Sequence, residues 1–550
     1  MKIRAALSAG LLLFVFAGCI RAVAQPDGQG LPATQSVAAP VQTATPASAG
    51  LWIGPSVPDQ LRQAALASDL PLAVAAGTAA VRLDIDSPAD STARSLWFYA
   101  LVAAFPTVTD GVTHADLKNA WAGNPPADFA GRPLLMARST YDALKSVFGG
   151  EAAPDAVRIV DPAALFDALW QNRPQWGIIP FELLDPKLKV LEIDGQSPIH
   201  KDFDPQAYPL RVSFNLQPST VNLQPPTLNL PATNRDAARL TTVIMTGTSA
   251  LVRAIAFKME QNGLLYPDGD IRDLLRQADV LHISNEVSFA DTCPPPSYDT
   301  HDLRFCSNTK YIALFEDVGV DVVEVTGNHI NNWDVGPLRD TLQMYKDRGW
   351  LYFGGGFNLQ DAEKPALLEH NGTRLAFLGC NVPGPEPAFA TATLPGAAPC
   401  GDYGWILDEI RSLHAQGYQV IVTQQYEEYY IPNPTENQAR DFNRLAQAGA
   451  TIVSGSQAHY PQTMAFIDGA FVHYGLGNLF FDQMSYQFPD TGEFTYKTRD
   501  GFLDRHVFYG GKYVSTELLT VILEDHSRPR QMTPAERSAF LAEYFADSGW

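Results

Sequence analysis

The chain has 550 residues, which predicts two to four domains at roughly 150 residues each. Apolar residues make up 46% of it and charged residues 18%, so most of the chain is expected to form globular cores rather than stay disordered. The formal net charge of −21 argues against nucleic acid and anionic lipid as partners, because both favour a basic surface.

The chain begins with the pattern of a secretory signal at residues 1–19. An apolar run over residues 5–16, too short to span a bilayer, follows a positively charged start, and an Ala-Gly pair stands before Cys19. A cysteine in that place resembles a bacterial lipobox and predicts lipidation of Cys19, with a simple cleaved peptide as the alternative. Residues 20–50 are rich in Ala, Pro, Thr, Gln and Ser and predict a flexible tether. Because no later run is apolar enough for a membrane helix, we expect an exported protein on the extracytoplasmic face, held to the membrane only by the lipid.

Residues 51–215 predict a first α/β domain, because short apolar runs alternate with helical patterns. The expected strands are 80–85, 156–160, 177–181 and 190–193. Asp161 as N-cap and Pro162 at the first helical position predict a helix through Trp170. The segment 113–123, a helix followed by W-x-G, resembles part of the type II periplasmic solute-binding proteins. That resemblance implies a solute-binding domain, and a generic α/β domain is the alternative.

A stretch with four prolines at residues 216–235 predicts the boundary between the domains, since proline disfavours both helices and central strands. The second domain, residues 236–550, again alternates strands with helices. Its expected strands are 241–246, 279–283, 320–325, 374–378, 419–423, 451–453 and 471–474. Buried strands with polar residues at their carboxyl ends are the arrangement of an α/β site.

The cysteines that follow Cys19 predict two disulfides. An even number of cysteines in an exported chain is typical of a disulfide framework, and their spacings match no zinc-binding pattern. The simplest of the three possible connectivities pairs neighbours in sequence, Cys293 with Cys306 and Cys380 with Cys400.

The sharpest motif is Thr-Gly-Asn-His at residues 326–329, directly after the expected strand 320–325. Gly327 permits a tight turn, after which Asn328 presents an amide oxygen and His329 an imidazole at one strand end. A metallophosphoesterase site uses such a pair, the amide as a metal ligand and the imidazole as a general acid for the leaving oxygen. A structural histidine at the strand end is the alternative.

Further polar residues follow other expected strands in the order that such a site requires. Glu286 offers a carboxylate after strand 279–283, and His459 offers an imidazole after strand 451–453. The segment 474–482, with the sequence YGLGNLFFD, follows shortly afterwards. Each signal is weak alone, and it is their joint order that favours one shared site.

Seven segments, in the same order, resemble the CapA family of capsule (poly-γ-glutamate) synthesis proteins. They match family motifs such as N-x-E, G-N-H-x-x-D, G-x-H-P-H-x-x-Q and Y-S-L-G-N-F-x-F-D. In this chain the segments are 247–253, 284–286, 327–332, 354–362, 424–429, 455–462 and 474–482. The resemblance implies a four-layered α/β/β/α metallophosphoesterase-like sandwich for the C-terminal domain, and a role in capsule or other cell-surface polymer biogenesis.

Several ligand positions of the family carry other residues here: Thr248 for Asp, Ser284 for Asn, Asn332 for Asp, and Gln424 and Gln457 for His. By resemblance, Glu286, Asn328 and His459 are the retained metal ligands and His329 is the retained acid. Two divalent ions require more carboxylate charge than this set supplies. The two-metal site of the family is therefore predicted to be degenerate, with one weakly held divalent ion as the remaining metal hypothesis.

Other polar positions in the matched segments are predicted to contact a cell-surface polymer or a small solute: Thr248, Arg253, Asn285, Gln424, Glu428, Gln462 and Asn478. Tyrosines near Glu428 predict a rim on which sugar or peptide groups stack, and a solvated acidic loop is the alternative there. Two interpretations stay open beside polymer biogenesis, an active metal-dependent phosphoesterase and a binding protein without catalysis. The fold alone does not decide between them.

Overall fold

The computed structural model describes residues 48–85, 94–218, 228–299, 301, 303 and 305–550. The signal sequence with Cys19 and nearly all of the predicted tether lie outside these ranges, as do residues 219–227 of the predicted proline-rich boundary. Within these ranges, no helix is both long enough and apolar enough to cross a membrane.

The α-helices of the described residues are α1 (Asp59–Leu66), α2 (His114–Trp121), α3 (Arg138–Phe148), α4 (Pro162–Gln171), α5 (Arg253–Asn262), α6 (Arg272–Leu275), α7 (Ala313–Val318), α8 (Val335–Asp347), α9 (Leu359–Ala362), α10 (Gly404–Ala415), α11 (Glu436–Gln447) and α12 (Pro534–Asp547). The helix predicted after Asp161 is confirmed as α4. The Asp161 side chain accepts a hydrogen bond from the Ala163 amide, as an N-cap residue does.

The first part of the chain forms one sheet. Its strands are β1 (Ser48–Ile53), β2 (Ala79–Ile85), β3 (Arg94–Ala104), β4 (Gly111–Val112), β5 (Leu134–Met136), β6 (Val157–Ile159), β7 (Trp176–Pro180), β8 (Leu188–Ile193) and β9 (Arg211–Pro218). The order is β1-β2-β9-β3-β7-β5-β6, and β8 joins β3 and β4. The four predicted strands form as β2, β6, β7 and β8. Helices α1 to α4 alternate with these strands, so the α/β class is confirmed.

The second part of the chain forms two large sheets and two short ribbons. Its strands are β10 (Leu240–Thr246), β11 (Thr248–Ser249), β12 (Val280–Asn285), β13 (Val322–Glu324), β14 (Leu351–Phe353), β15 (Gly355–Gly356), β16 (Ala366–His370), β17 (Thr373–Asn381), β18 (Gly396–Ala397), β19 (Gln419–Gln425), β20 (Ile452–Ser456), β21 (Met464–Ile467), β22 (Ala470–His473), β23 (Tyr486–Gln487), β24 (Phe494–Thr495), β25 (Asp500–Tyr509), β26 (Lys512–Glu524) and β27 (Arg528–Gln531). One large sheet has the order β14-β13-β12-β10-β25-β26-β27, and the other has the order β16-β17-β19-β20-β22-β21. All seven strands predicted for this region are among them.

The two large sheets face each other through an apolar layer and carry helices on their outer faces. On β10, Val243 and Met245 belong to the same buried cluster as Ile421 of β19, whereas Ile244 belongs to a cluster with residues of α5, α7 and α8. The neighbouring Val420 of β19 packs instead with α10 and α11. This alternation follows from the period of two along a strand. It confirms the four-layered α/β/β/α sandwich.

Both predicted disulfides form with the local pairing. Cys293 bonds Cys306, 13 residues away, and Cys380 bonds Cys400, 20 residues away. A cross-link closing a loop of this size stabilises the folded chain by about 2–4 kcal/mol, chiefly by constraining the unfolded chain.

The first sheet and the sandwich pack against each other within one compact unit of the chain. The ring of Phe105 lies 5.2 Å from that of Phe466 and 5.7 Å from that of Trp550. The end of the predicted proline-rich boundary is hydrogen-bonded to the first sheet. The Asn234 side chain accepts from the Phe98 backbone amide and donates to the Phe98 backbone carbonyl, both at 2.9 Å. The predicted domain bounds, 51–215 and 236–550, stay predictions.

Candidate functional site

The candidate site lies where parallel strands of both large sheets end. β12 ends at Asn285, just before Glu286, and β13 leads into Asn328. In the other sheet β19 ends at Gln425, and β20 leads into Gln457. Carboxyl ends of parallel strands are where α/β folds assemble their sites. Here polar residues from four strand ends are brought into one small volume.

A single amide group occupies the centre of this cluster. Nε2 of Gln425 donates toward Glu286 Oε1 at 3.3 Å, toward Asn328 Oδ1 at 3.1 Å, and toward Gln457 Oε1 at shorter range. The Gln425 side chain lies in the interior, with the residue only 1% exposed. Three acceptor oxygens from three strand ends thus converge on one nitrogen.

Charged neighbours determine how these amides are oriented. Glu428 Oε1 accepts a hydrogen bond from Gln457 Nε2 at 3.4 Å, which turns the Gln457 carbonyl oxygen toward Gln425. The ionised Glu286 carboxylate can only accept. With acceptors on two sides, Gln425 presents its NH₂ group rather than its carbonyl oxygen.

His459 is held in one tautomer by Asn478. The Asn478 Nδ2 atom donates to the Thr498 carbonyl at 3.0 Å and to the His459 carbonyl at 3.4 Å, so its Oδ1 atom is an acceptor. His459 Nδ1 therefore donates to that oxygen at 2.8 Å. The other ring nitrogen, Nε2, lies 3.9 Å from Glu286 Oε1. The ring also stacks on Phe481, with centroids 4.4 Å apart.

Glu286 is buried and incompletely satisfied. Its Oε1 atom accepts from Gln425, but its Oε2 atom is buried without a hydrogen-bond partner among the described residues. An unsatisfied buried acceptor costs roughly 1–3 kcal/mol, and more when it is charged. Such a cost is characteristic of a site rather than of a packed core.

Backbone strain is concentrated around the cluster. Gln457, His459 and Arg253 have φ values of +78°, +49° and +47°, which side chains other than glycine rarely adopt. The Gln457 amide donates to Thr248 Oγ1 at 3.4 Å, so the residue in place of the family's first Asp supports this strained turn. Strain of this kind clusters at binding and catalytic sites.

A buried ion pair forms one wall of the site. Arg253 Nη2 lies 2.5 Å from Asp482 Oδ1, and its Nε lies 3.3 Å from Asp482 Oδ2. The guanidinium also lies 4.6 Å from the ring centre of Phe305 and 5.3 Å from that of Phe481. Its charge is thus matched inside the protein by a carboxylate and two aromatic faces.

His329, the predicted acid, lies on the same wall. Its ring stacks on Phe305 with centroids 3.8 Å apart, and its Nδ1 atom lies 2.6 Å from Asn332 Oδ1. Asn332 replaces a family Asp, so the histidine has an amide partner where the family pattern supplies a carboxylate.

A pocket of about 500 Å³ opens above these residues. Four aromatic side chains line it, and they are Phe305, Phe481, Tyr430 and Tyr486. The rings of Tyr430 and Tyr486 are stacked 3.6 Å apart. Burial raises the pKa of the Tyr430 hydroxyl above its ordinary value, so it stays protonated and donates to Glu428 Oε2 at 3.1 Å.

Gln424, which stands at the position of a family histidine, does not reach the cluster. Its Nε2 atom donates to the Tyr403 hydroxyl at 3.0 Å and lies close to the sulfur atoms of the Cys380–Cys400 disulfide. Adjacent residues on a strand face opposite sides, and the side chain that enters the site is that of Gln425. No signal in the sequence alone separates these two neighbouring glutamines.

Two other predicted contact residues also point into the interior. Asn285 donates to the Val287 carbonyl and to the Tyr345 hydroxyl, both at 2.7 Å. Gln462 accepts from Gln438 at 3.0 Å. Neither lines the pocket above the cluster.

Beneath the cluster lies a second buried carboxylate, Glu324, which the motifs did not indicate. It accepts from Thr326 Oγ1 at 2.5 Å and from Ser456 Oγ at 2.8 Å, and His282 Nε2 lies 3.4 Å from it. Burial alone would raise its pKa, but His282 and the two hydroxyl groups outweigh burial and hold the pKa of Glu324 below its ordinary value. It serves as a charged support between the sheets.

The residues present do not fit the two-ion centre that the family resemblance implies. Glu286 is the carboxylate that accepts from Gln425, and the imidazole of His459 lies beside that carboxylate, with Nε2 3.9 Å from Glu286 Oε1. In the parts of the chain that the structure describes, no group of three or more His, Cys, Asp or Glu side chains is placed to hold a metal ion. The point on which the oxygens converge is taken by an amide nitrogen. A single weakly held ion stays a prediction from the sequence.

The fold and this cluster together define a sandwich protein with a polar site at the strand ends of its second half. Residues 242–483 match the family model described as "Bacterial capsule synthesis protein PGA_cap". Over this segment the chain is similar to the CapA family.

Two curated relatives are similar over part of this chain. "PGA biosynthesis protein CapA" of Bacillus subtilis (strain 168) is 25% identical over 183 residues, 33% of this chain and 48% of the relative. "Capsule biosynthesis protein CapA" of Bacillus anthracis is 23% identical over 276 residues, 49% of this chain and 66% of the relative. The chain thus spans 48% and 66% of the lengths of these relatives.

Solved structures overlap this chain only loosely. A putative 5'-nucleotidase from Staphylococcus aureus in complex with alpha-ketoglutarate aligns over 56% of this chain and 58% of its own, with 10% identity and a TM-score of 0.33. An ABC-type phosphate transport receptor from Vibrio cholerae aligns over 32% of this chain and 89% of its own, with 14% identity and a TM-score of 0.26. At such scores neither likeness carries weight for function, and the fold assignment rests on the strand order above.

Proposed function

We propose that this protein acts in the biogenesis of a capsule or other cell-surface polymer, and that its C-terminal domain binds the polymer rather than hydrolysing it. The observation that carries the proposal is the aromatic pocket above an amide-rich cluster. The two curated relatives are named for capsule and PGA biosynthesis, which supports the polymer as the ligand class.

The pocket has the chemistry of a polymer-binding cleft. Tyr486 and Tyr430 stack on each other and line the pocket, so it is the outer faces of this pair that offer stacking area for a sugar ring or a planar amide group. Polar side chains at the base, including His329 and His459, offer donors and acceptors for hydroxyl or amide groups. Ligand sites combine apolar and aromatic walls with placed polar groups that fix the orientation of the ligand, and this pocket is lined by both kinds of side chain.

Hydrolysis is the less favoured interpretation, because Glu286 is the one carboxylate in the cluster. A phosphoryl-transfer site with two ions clamps the attacking and leaving oxygens between them. The donor set around Gln425 does not support that arrangement, so no hydrolytic step is assigned to it.

We expect wild-type protein to bind poly-γ-glutamate or dextran in affinity electrophoresis, and Tyr486→Ala to weaken that binding about tenfold, as loss of one stacking ring predicts. Tyr496→Ala is the matched control, since Tyr496 is 63% exposed and lies outside the pocket. The probe that binds identifies the polymer class. Binding of neither probe, or equal losses in both variants, contradicts a polymer site in this pocket. Metal-dependent hydrolysis of an aryl phosphate that Glu286→Ala abolishes establishes the hydrolase instead.

We also propose that the protein is exported and held on the extracytoplasmic face by a lipid on Cys19. The two disulfides support an oxidising compartment. We expect the Cys19→Ala chain to leave the membrane fraction or to keep its signal sequence, while Ala17→Ser, which retains a small residue, behaves as wild type. Fractionation with immunoblotting measures both. Unchanged membrane association of Cys19→Ala contradicts the lipid anchor.

A further inference from the structure

The centre of the cluster is built as a cation site would be, yet it is filled by a neutral group. Glu286 Oε1, Asn328 Oδ1 and Gln457 Oε1 come from three separate strand ends and converge on Gln425 Nε2. An NH₂ group has two hydrogens, so three acceptors exceed what it can satisfy fully. Oxygens that converge in excess on one point are typical of a pocket shaped around a cation.

The charges nearby favour the amide over a divalent ion. A divalent ion must lose most of its water, and carboxylates normally compensate for that loss. Glu286 is the one carboxylate that touches the central nitrogen, and the other two acceptors are neutral amides. An amide N–H carries a partial positive charge and loses far less hydration energy on burial. It complements one carboxylate without leaving excess positive charge.

The amide is also held in place from two directions. Gln425 ends β19, which pairs with β17 on one side and with β20 on the other. Gln457 is turned toward it by Glu428, at 3.4 Å from the Gln457 Nε2 atom. Rotation of the Gln425 amide would bring its carbonyl oxygen against Glu286 and Gln457, so the donor orientation is the favoured one.

We infer that the Gln425 carboxamide replaces a metal ion in this protein, and that it holds the strand ends of the two sheets together without any metal. The NH₂ group links Glu286 and Asn328 of one sheet edge to Gln457 of the other. Folding and pocket shape are therefore independent of divalent cations. This inference does not depend on which polymer the pocket binds.

The test is to restore a carboxylate at the position of the amide. Gln425→Glu places a second carboxylate beside Glu286, and like charges so close are unfavourable unless a cation binds between them. We expect the melting temperature of Gln425→Glu to rise by about 5 °C or more in 1 mM Mn²⁺, by preferential binding to the folded state. The wild type is expected to shift by less than about 1 °C in Mn²⁺ or in EDTA.

Gln424→Glu is the matched control. It introduces the same change one residue earlier in β19, where the side chain contacts Tyr403 on the opposite face of the strand. Mn²⁺ is therefore not expected to raise the melting temperature of Gln424→Glu. Equal rescue of both variants, or no rescue of Gln425→Glu, contradicts the inference. If Gln425→Glu does not fold, measurements on the wild type test the inference. Stoichiometric metal in protein purified without chelator, measured by elemental analysis, overturns the inference, and so does a fall in the wild-type melting temperature in EDTA. Polymer binding is read separately by electrophoresis, so this test and the test of the proposed function fail independently.

Discussion

Replacing Asp482 with alanine is expected to lower the free energy of unfolding by about 3–5 kcal/mol, because a buried guanidinium then loses its carboxylate partner. The Asp482 side chain is 0% exposed and the Arg253 side chain 9% exposed, so water cannot take over the lost interaction. Asp482 also accepts from the Ala254 amide at 2.9 Å in the first turn of α5. The substitution therefore removes an ion pair and a contact to the helix N-terminus together.

Urea unfolding followed by circular dichroism measures this loss, and Asp525→Ala provides the matched control. Asp525 also pairs with a cation of α5, Lys258 at 2.6 Å, but its side chain is 41% exposed. An exposed pair of this kind contributes about 1 kcal/mol or less. A loss in Asp482→Ala no larger than in Asp525→Ala would mean that the buried pair does not stabilise the fold. Because Arg253 lines the pocket, Asp482→Ala is also expected to weaken polymer binding.

The convergence of Glu286, Asn328 and His459 could be predicted from sequence because each follows a recognisable buried strand. Carboxyl ends of parallel strands lie at one edge of a sheet, so strand order brings Glu286 and Asn328 together. The packing of the two sheets then brings His459 beside Glu286. The Gly-Asn-His turn added a local signal that owes nothing to tertiary contacts. What the order of motifs could not supply is the orientation of each side chain.

The two neighbouring glutamines illustrate that limit. Gln424 and Gln425 differ only in the face of β19 from which they project, and the strand is buried on both faces. When both faces are apolar, no pattern of alternation indicates which side faces the site. The central residue was therefore missed by one position, and Asn285 was expected in a pocket from which its side chain points away.

Two long strands, β25 of the first large sheet of the sandwich and β3 of the N-terminal sheet, were missed for a related reason. β25 places Asp504, His506 and Arg505 in buried positions, so its sequence lacks the apolar pattern of an interior strand. Within the N-terminal sheet, β3 is an unbroken apolar run from Leu96 to Ala104, which short-range patterns do not distinguish from a buried helix. Tertiary contacts decide whether such segments form strands. The polar residues of β25 are buried because they find partners, and β3 is buried on both faces, and neither fact is visible in the local sequence.

The buried His506 leads to a prediction about acid stability. It is 0% exposed, its Nδ1 atom lies 2.7 Å from Thr516 Oγ1, and its Nε2 atom has no hydrogen-bond partner among the described residues. Burial lowers the pKa of His506 from 6.5 to about 4, with Asp504 acting to raise it and His473 to lower it further. In the unfolded chain the imidazole takes up a proton near its ordinary pKa, whereas in the folded protein it stays neutral until about pH 4.

Between about pH 6.5 and pH 4 the unfolded state therefore gains protons that the folded state does not, and the free energy of unfolding falls with falling pH by up to about 3 kcal/mol from this residue.

We expect His506→Gln to be less stable than wild type at pH 8, because it disturbs the core. Its stability should also fall less steeply over this range. Urea unfolding at half-unit pH steps gives the free energy of unfolding of wild type and of His506→Gln as a function of pH. Subtracting one curve from the other removes the contribution of the groups that both proteins share. His301→Gln is the control for the loss of an imidazole at the surface, because the His301 side chain is 94% exposed. Parallel curves for wild type and His506→Gln would mean that His506 is already protonated in the folded protein near neutral pH, with Asp504 outweighing burial.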